Sequence, residues 1–409
     1  MSKRSALPRN PRYRYHFQFP LFEFFFQWIA GSQTNGLVES GECFYVASRV
    51  RDGDGESWYR EWSEMGKRVE KRADISSNAG HFVSSREAYL RAYTYYRCST
   101  AFLDPLSDVR HQANYLKAQE CFLRFASMCN PPILPLEIPF EGNTLPGYLI
   151  RPANDGVKRK TLLMIGGGDT FVEDLYGYIG PAAIKREYNV VIVDLPGQGA
   201  LPHKGIFFRH DAEVPVKAVI DHMFVLPGID ASRLVMFGLS FGGYLAPRAA
   251  VYEKRIKALA ACSIILDAAR LGSAGMMKHD RPLVTKLLRI LLGKRFQSIL
   301  SVVHTYYWRN AIKDSSSMAT LLQQYRFDPS QITCPFLNIV AQQEYEEWDA
   351  AQEWDRICSE KIGDNAYKRI IAPWNEGADS HGIGTNLSLM SQIVFDWFDE
   401  ILDKAKLEA

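Results

Sequence analysis

The chain has 409 residues, 47% of them hydrophobic and 23% charged, with 48 Lys and Arg against 46 Asp and Glu. That composition describes a globular protein with room for about two domains. A formal net charge of +2 gives no reason to expect nucleic acid or an acidic membrane surface as a partner.

The first segment, "MSKRSALPRNPRYRYHFQFPLFEFFFQWIAG", is basic and then apolar, as a signal peptide would be. Its apolar part, Phe19 to Ala30, is interrupted by Pro20, Glu23 and Gln27. It lacks a convincing small-residue cleavage site and is too short to span a bilayer. The expectation is an aromatic helix packed on the rest of the protein. Such a segment needs a surface to cover it, so a homodimer built on it is a further expectation.

Helices follow. Residues 57–80 place Trp58, Trp62, Met65 and Val69 at helical spacing and stop at Asn78-Ala79-Gly80. Residues 84–103 open with a capping-box pattern and carry Tyr89, Tyr93 and Tyr96 on one stripe, which reads as core rather than a ligand cage. Another helix is expected near 108–127. The texture changes at "NPPILPLEIPFEGNTLPGYLIRP", where prolines and alternation predict a linker and a β-hairpin turning at Gly142-Asn143.

Five short apolar runs come next: "KTLLMIGGG", "NVVIVDLPGQG", "RLVMFGLS", "IKALAACSII" and "CPFLNIVA". Helical segments separate them. Strands without alternation imply a parallel sheet with helices on both faces. A long helical stretch at about 270–325 reads as an inserted cap. The domain expectation is a helical, lid-like 1–130 followed by an α/β catalytic domain, 131–409.

Ligands of open α/β sheets bind beyond the carboxyl ends of the strands. There, Gly238-Leu239-Ser240-Phe241-Gly242 fits G-x-S-x-G between a strand and a helix, the setting in which a serine is held up as a nucleophile. The base should lie downstream, after an acid. His279 and His304 fall in the cap, where a packed or surface histidine is expected. His381 sits in a glycine-flanked loop before an amphipathic last helix and is assigned as the base. The acid should follow "CPFLNIV"; among Glu344, Glu346, Glu347 and Asp349, Glu344 stands three residues past Ala341 and is chosen. Glu346 and Glu347 suit a charged helix start better.

The oxyanion donors expected are the N–H of Phe241 and one from "GGGDT", either Gly168 or Asp169. The "DLPGQG" turn, 194–199, reads as architectural. Asp267, just past the fourth run, is a candidate substrate contact or equally a core or cap contact. The seven cysteines form no CxxC pair and no zinc-type cluster, which suits free thiols and a cytosolic location. No metal or organic cofactor is implied.

These residues resemble the α/β-hydrolase superfamily. Within it they are similar to the group around the fermentation–respiration switch protein, which includes 2,6-dihydropseudooxynicotine hydrolase and fungal polyketide-shortening hydrolases. "DGDGESWYREW" and "SSREAYLRAYTYYR" resemble the group's helical segment; "GGGDTFVEDLY", "DLPGQG", "GLSFGGYLAPRAA" and "GADSH" resemble its catalytic half. The resemblance implies an α/β-hydrolase fold with Ser240 as nucleophile and His381 as base. It also implies Glu344 as acid, where many relatives carry Asp, and "VAQQE" is less acidic than the corresponding run in relatives. The expected function is hydrolysis of an ester, thioester or C–C bond in a small, largely apolar, polyketide-like carbonyl metabolite. Two rivals stand beside it: a cyclase, condensation or elimination catalyst using the same Ser/His site, and a binding module that has lost turnover.

Overall fold

The computed structural model describes residues 11–272 and 290–407. The chain forms two compact units, one holding residues 134–272 and 316–407 and the other residues 11–133 and 290–315 of those described.

The first unit is built on one eight-stranded sheet. Its strands are β1 (Leu134–Phe140), β2 (Asn143–Ile150), β3 (Arg159–Ile165), β4 (Asn189–Val193), β5 (Ile229–Leu239), β6 (Ala258–Cys262), β7 (Phe336–Ala341) and β8 (Tyr367–Ala372). Their order is β1-β2-β4-β3-β5-β6-β7-β8. β1 and β2 pair antiparallel, β2 joins β4 antiparallel, and every later pairing is parallel. This is the mostly parallel sheet that the unalternating runs predict. All residues of β4 and β6 are buried, as strands covered on both faces must be.

The edge behaves differently. β1 alternates buried and exposed residues, and its hairpin turns at Glu141 and Gly142, whose φ values are 44° and 75°. The turn therefore lies one residue before the expected Gly142-Asn143. Two successive positive φ values match the twist of a two-residue hairpin. β8 had no counterpart among the predicted runs. It carries exposed Lys368 and Arg369 on an outer strand, so it lacks an apolar signature.

The second unit is helical: Pro20–Gly31, Ser40–Arg49, Gly55–Asn78, Phe82–Ser99, Val109–Ser127 and Lys294–Arg309. Phe17, Phe22, Trp58, Trp62 and Phe102 are each at most 5% exposed. Phe22 stacks on Phe102 at 4.4 Å and meets Trp58 at 4.8 Å. Each such ring contributes about 1.5–3 kcal/mol by leaving water. Phe17, Phe22, Phe24 and Phe26 of the aromatic segment are thus buried inside its own unit. Glu23 interrupts that apolar helix for a local reason. Its carboxylate accepts the backbone N–H of Tyr15 at 2.6 Å and of Phe17 at 2.8 Å, and the buried Phe17 N–H would otherwise go unsatisfied.

Tyr89, Tyr93 and Tyr96 are buried. The helix Lys294–Arg309 comes from the stretch read as a cap and packs within this helical unit. Ser298 Oγ donates to the Gly53 carbonyl at 3.1 Å, and Trp308 meets His111 at 5.5 Å. All seven cysteines are free thiols. Among the described residues, no helix is long and apolar enough to cross a membrane.

Candidate active site

At the end of β5 the backbone reverses at Ser240, whose φ is +58°. A non-glycine residue there costs about 1–3 kcal/mol and persists where its surroundings enforce it. Here the Ser240 N–H donates to the Cys262 carbonyl at 2.6 Å, and the Gly243 N–H donates back to the Ser240 carbonyl at 2.8 Å. The helix Gly242–Tyr252 starts immediately afterwards. Gly242 is required by close approach: a Cβ there would stand 2.5 Å from the Ile165 carbonyl oxygen. The G-x-S-x-G spacing thus lets a strand and a helix meet almost without a connecting loop, leaving the serine at the turn.

Ser240 Oγ lies 2.8 Å from His381 Nε2. His381 begins a short turn, His381–Ile383, and is buried. Its Nδ1 is hydrogen-bonded to Oε1 of Glu344. A carboxylate accepts, so Nδ1 carries the proton and Nε2 is left to accept from the serine hydroxyl. Glu344 belongs to the helix Gln342–Glu347, directly after β7, and is 1% exposed. The structure therefore brings Ser240, His381 and Glu344 into one hydrogen-bonded chain. The other acids of that stretch are engaged elsewhere: Glu346 with Gln342 at 2.7 Å, Glu347 with Gln343 at 3.2 Å, and Asp349 with Arg270 at 3.4 Å.

Buried Cys262 and Tyr178 feel the Glu344 charge. Burial, reinforced by the Glu344 charge, pushes the Cys262 thiol well above its ordinary range. Burial does the same to the Tyr178 hydroxyl, helped by Cys262 and Glu344. The second carboxylate oxygen is met by Ser263, whose hydroxyl donates to Oε2 at 2.5 Å. Sequence reasoning missed this serine, which belongs to no motif. It also missed Asp379, whose Oδ1 accepts the Gln343 N–H at 2.6 Å and ties the histidine loop to the acid-bearing helix.

The glycine-rich loop borders the serine. A Cβ on Gly167 would lie 2.8 Å from Ser240 Cβ and 3.0 Å from its Oγ. Gly168 and Asp169 follow it directly. Phe241 stands before the first turn of its helix, where N–H groups lack intrahelical acceptors. Its ring stacks on Tyr244 at 5.7 Å and meets Phe208 at 5.3 Å. Asp267 bonds to its own backbone: Oδ1 accepts the Ala269 N–H at 2.9 Å, just before the short helix Ala269–Gly272. His304 lies in the helical unit, with Nδ1 2.8 Å from Asp104 Oδ2. His279 falls outside the described residues. Among those described, no group of three or more His, Cys, Asp or Glu side chains is arranged to hold a metal ion.

A family model described as FrsA-like esterase matches residues 47–279, more than half of the chain. The chain belongs to this family. Hydrolase LUC6 of Fusarium sp is 34% identical over 256 residues, which make up 60% of this chain and 61% of that protein. The 20-hydroxy-prefusarin hydrolase FUS2 of Gibberella moniliformis is 35% identical over 256 residues, with the same coverage of 60% and 61%. The match thus spans about three fifths of the length of these relatives. Among solved structures, a 2,6-dihydroxy-pseudo-oxynicotine hydrolase superposes with a TM-score of 0.70 at 17% identity, covering 91% of this chain and 95% of that one. At that identity the likeness speaks for the fold, which is that of the α/β-hydrolases, as the sequence resemblance implied.

Proposed function

We propose that this protein is a serine hydrolase acting on a small, carbonyl-containing metabolite. The observation that carries the reading is the continuous chain from Ser240 Oγ to His381 Nε2 at 2.8 Å and from His381 Nδ1 to the buried Glu344. His381 takes the hydroxyl proton as Ser240 Oγ attacks the carbonyl carbon. The resulting oxyanion is held by the Phe241 N–H and by that of Gly168 or Asp169, each donor supplying about 3–4 kcal/mol. The tetrahedral intermediate collapses, and His381 returns the proton to the leaving group. Water then repeats the cycle on the acyl-enzyme and releases a carboxylic acid. Glu344 holds the imidazole in its tautomer and stabilises the imidazolium.

Family membership and relatives named as hydrolases support net hydrolysis over cyclisation. The relative named for 20-hydroxy-prefusarin supports a substrate of that kind. The aromatic rings around Phe241 fit an apolar acyl portion. Seven free thiols suit the reducing compartment expected from the sequence.

The test is a fluorophosphonate probe and the Ser240→Ala variant. The reading expects labelling at Ser240, loss of labelling in the variant, and a product heavier than its substrate by one water, or its two fragments. Full turnover by Ser240→Ala would end it, and a product of unchanged mass would move the assignment to cyclisation.

A further inference from the structure

The glycine loop offers two candidate N–H donors, from Gly168 and Asp169. We propose that Gln198 is a positioning residue that selects between them, turning the 167–168 peptide so that the Gly168 N–H faces the oxyanion. This rests on the serine-hydrolase reading above.

Gln198 lies in the turn after β4 and is 0% exposed. Its Nε2 donates to the Gly166 carbonyl at 2.6 Å and to the Gly167 carbonyl at 3.0 Å. Its Oε1 accepts the Leu195 N–H at 2.9 Å, which fixes the amide's orientation. One side chain therefore uses both kinds of hydrogen-bonding group to clamp the loop that borders Ser240. The backbone beside it is tied as well: the Gly199 N–H donates to the Thr170 carbonyl at 3.1 Å. Gly199 has to be glycine, because its φ is +54° and a Cβ would overlap the Asp194 carboxylate at 1.7 Å.

The consequence follows from peptide planarity. Across a trans peptide, the carbonyl of one residue and the N–H of the next point in opposite directions. With the Gly167 oxygen drawn toward Gln198, the Gly168 N–H is turned to the opposite edge of the same plane. Gly167 itself abuts the serine, since a Cβ on it would come within 3.0 Å of Ser240 Oγ. The clamp thus presents a rigid donor beside the serine before substrate arrives, the preorganisation that makes oxyanion stabilisation effective. The "DLPGQG" turn is architectural in its backbone and, through Gln198, directed at the reaction.

The experiment uses the full chain and a fluorophosphonate whose P=O oxygen occupies the oxyanion position once bonded to Ser240. In a crystal structure of the wild-type adduct, that oxygen is expected about 2.7–3.1 Å from the Phe241 and Gly168 nitrogens, with the Gln198 bonds intact. Contact with the Asp169 nitrogen in place of Gly168 would overturn the proposal. Two variants supply the kinetic arm. Gln198→Glu keeps the acceptor for Leu195 but cannot donate as a carboxylate, and Gln198→Met keeps the volume with no donor. For each folded variant the maximal inactivation rate should fall about 10–100-fold, while the half-saturating probe concentration changes less than about threefold. Wild-type rates in a folded variant, or a loss confined to probe binding, would refute the role of Gln198. If neither variant folds, the adduct structure decides. Failure of the wild type to label at Ser240 would instead sink the serine reading on which the proposal stands.

Discussion

Ser263 donates its hydroxyl to Oε2 of Glu344 at 2.5 Å, the carboxylate oxygen opposite the one bonded to His381. Both oxygens of a buried carboxylate are thereby hydrogen-bonded. Ser263→Ala removes one of these bonds. A hydrogen bond to a charged group contributes about 1.5–3 kcal/mol, and leaving its partner buried costs as much. The variant should lose about 2 kcal/mol in urea unfolding. It should also react more slowly with a serine-directed probe, because the carboxylate is free to turn away from the imidazole.

The length of Glu344 makes a separate prediction. It reaches His381 from a helix that begins right after β7. Glu344→Asp shortens the arm by one methylene and cannot keep both the Ser263 and His381 contacts without moving the helix. Glu344→Gln keeps the length but presents an amide that favours the wrong imidazole tautomer. Replacing an orienting carboxylate by its amide costs up to about 10⁴-fold in rate. Steady-state turnover should therefore fall further for the Gln variant than for the Asp variant. Equal and negligible losses would mean that another group orients His381.

The parts of this site that were legible in the sequence are those with a backbone signature. Gly238 and Gly242 flank Ser240 because strand and helix approach too closely for side chains, and that requirement is written as glycine. Glu344 could be located because it follows the apolar run of β7, and His381 because it sits among glycines just before the amphipathic last helix. Ser263, Gln198 and Asp379 act through ordinary polar side chains in loops, a residue class that turns also use for purely local reasons. Only the tertiary structure shows which backbone or carboxylate each one meets. β8 went unread for a related reason: its charged outward residues erase the apolar run by which its neighbours were found.

Gly167 gives a test of the close packing at the serine. Its added Cβ would meet Ser240 Cβ at 2.8 Å and Oγ at 3.0 Å, and neither atom can swing aside without breaking the bond to His381. Gly167→Ala should accordingly abolish fluorophosphonate labelling, whereas thermal unfolding should fall by only a few degrees, because the strain is local to an already strained turn. Labelling at the wild-type rate would show that the loop can retreat from the serine.

The helical unit carries a pH-dependent term that can be separated from catalysis. Asp54 caps the helix Gly55–Asn78, accepting the N–H of Glu56 at 3.2 Å and of Ser57 at 3.4 Å, and it pairs with Lys294 at 2.7 Å. Burial alone would raise its carboxyl. The Lys294 and Ser57 hydrogen bonds, with the charges of Lys294 and Arg51, outweigh that and hold it below the ordinary 3.8. A depressed carboxyl contributes stability above its unfolded value, and that contribution is lost as pH falls through the lower folded value. Asp54→Asn retains the cap, so it isolates the charge: it should cost about 0.5 kcal/mol at pH 7, as for an ion pair with one exposed partner, and progressively less below pH 4. Asp54→Ala should add about 1 kcal/mol for the lost cap at every pH. Urea unfolding at pH 7 and pH 3 measures both; an Asn penalty that grows on acidification would contradict the sign.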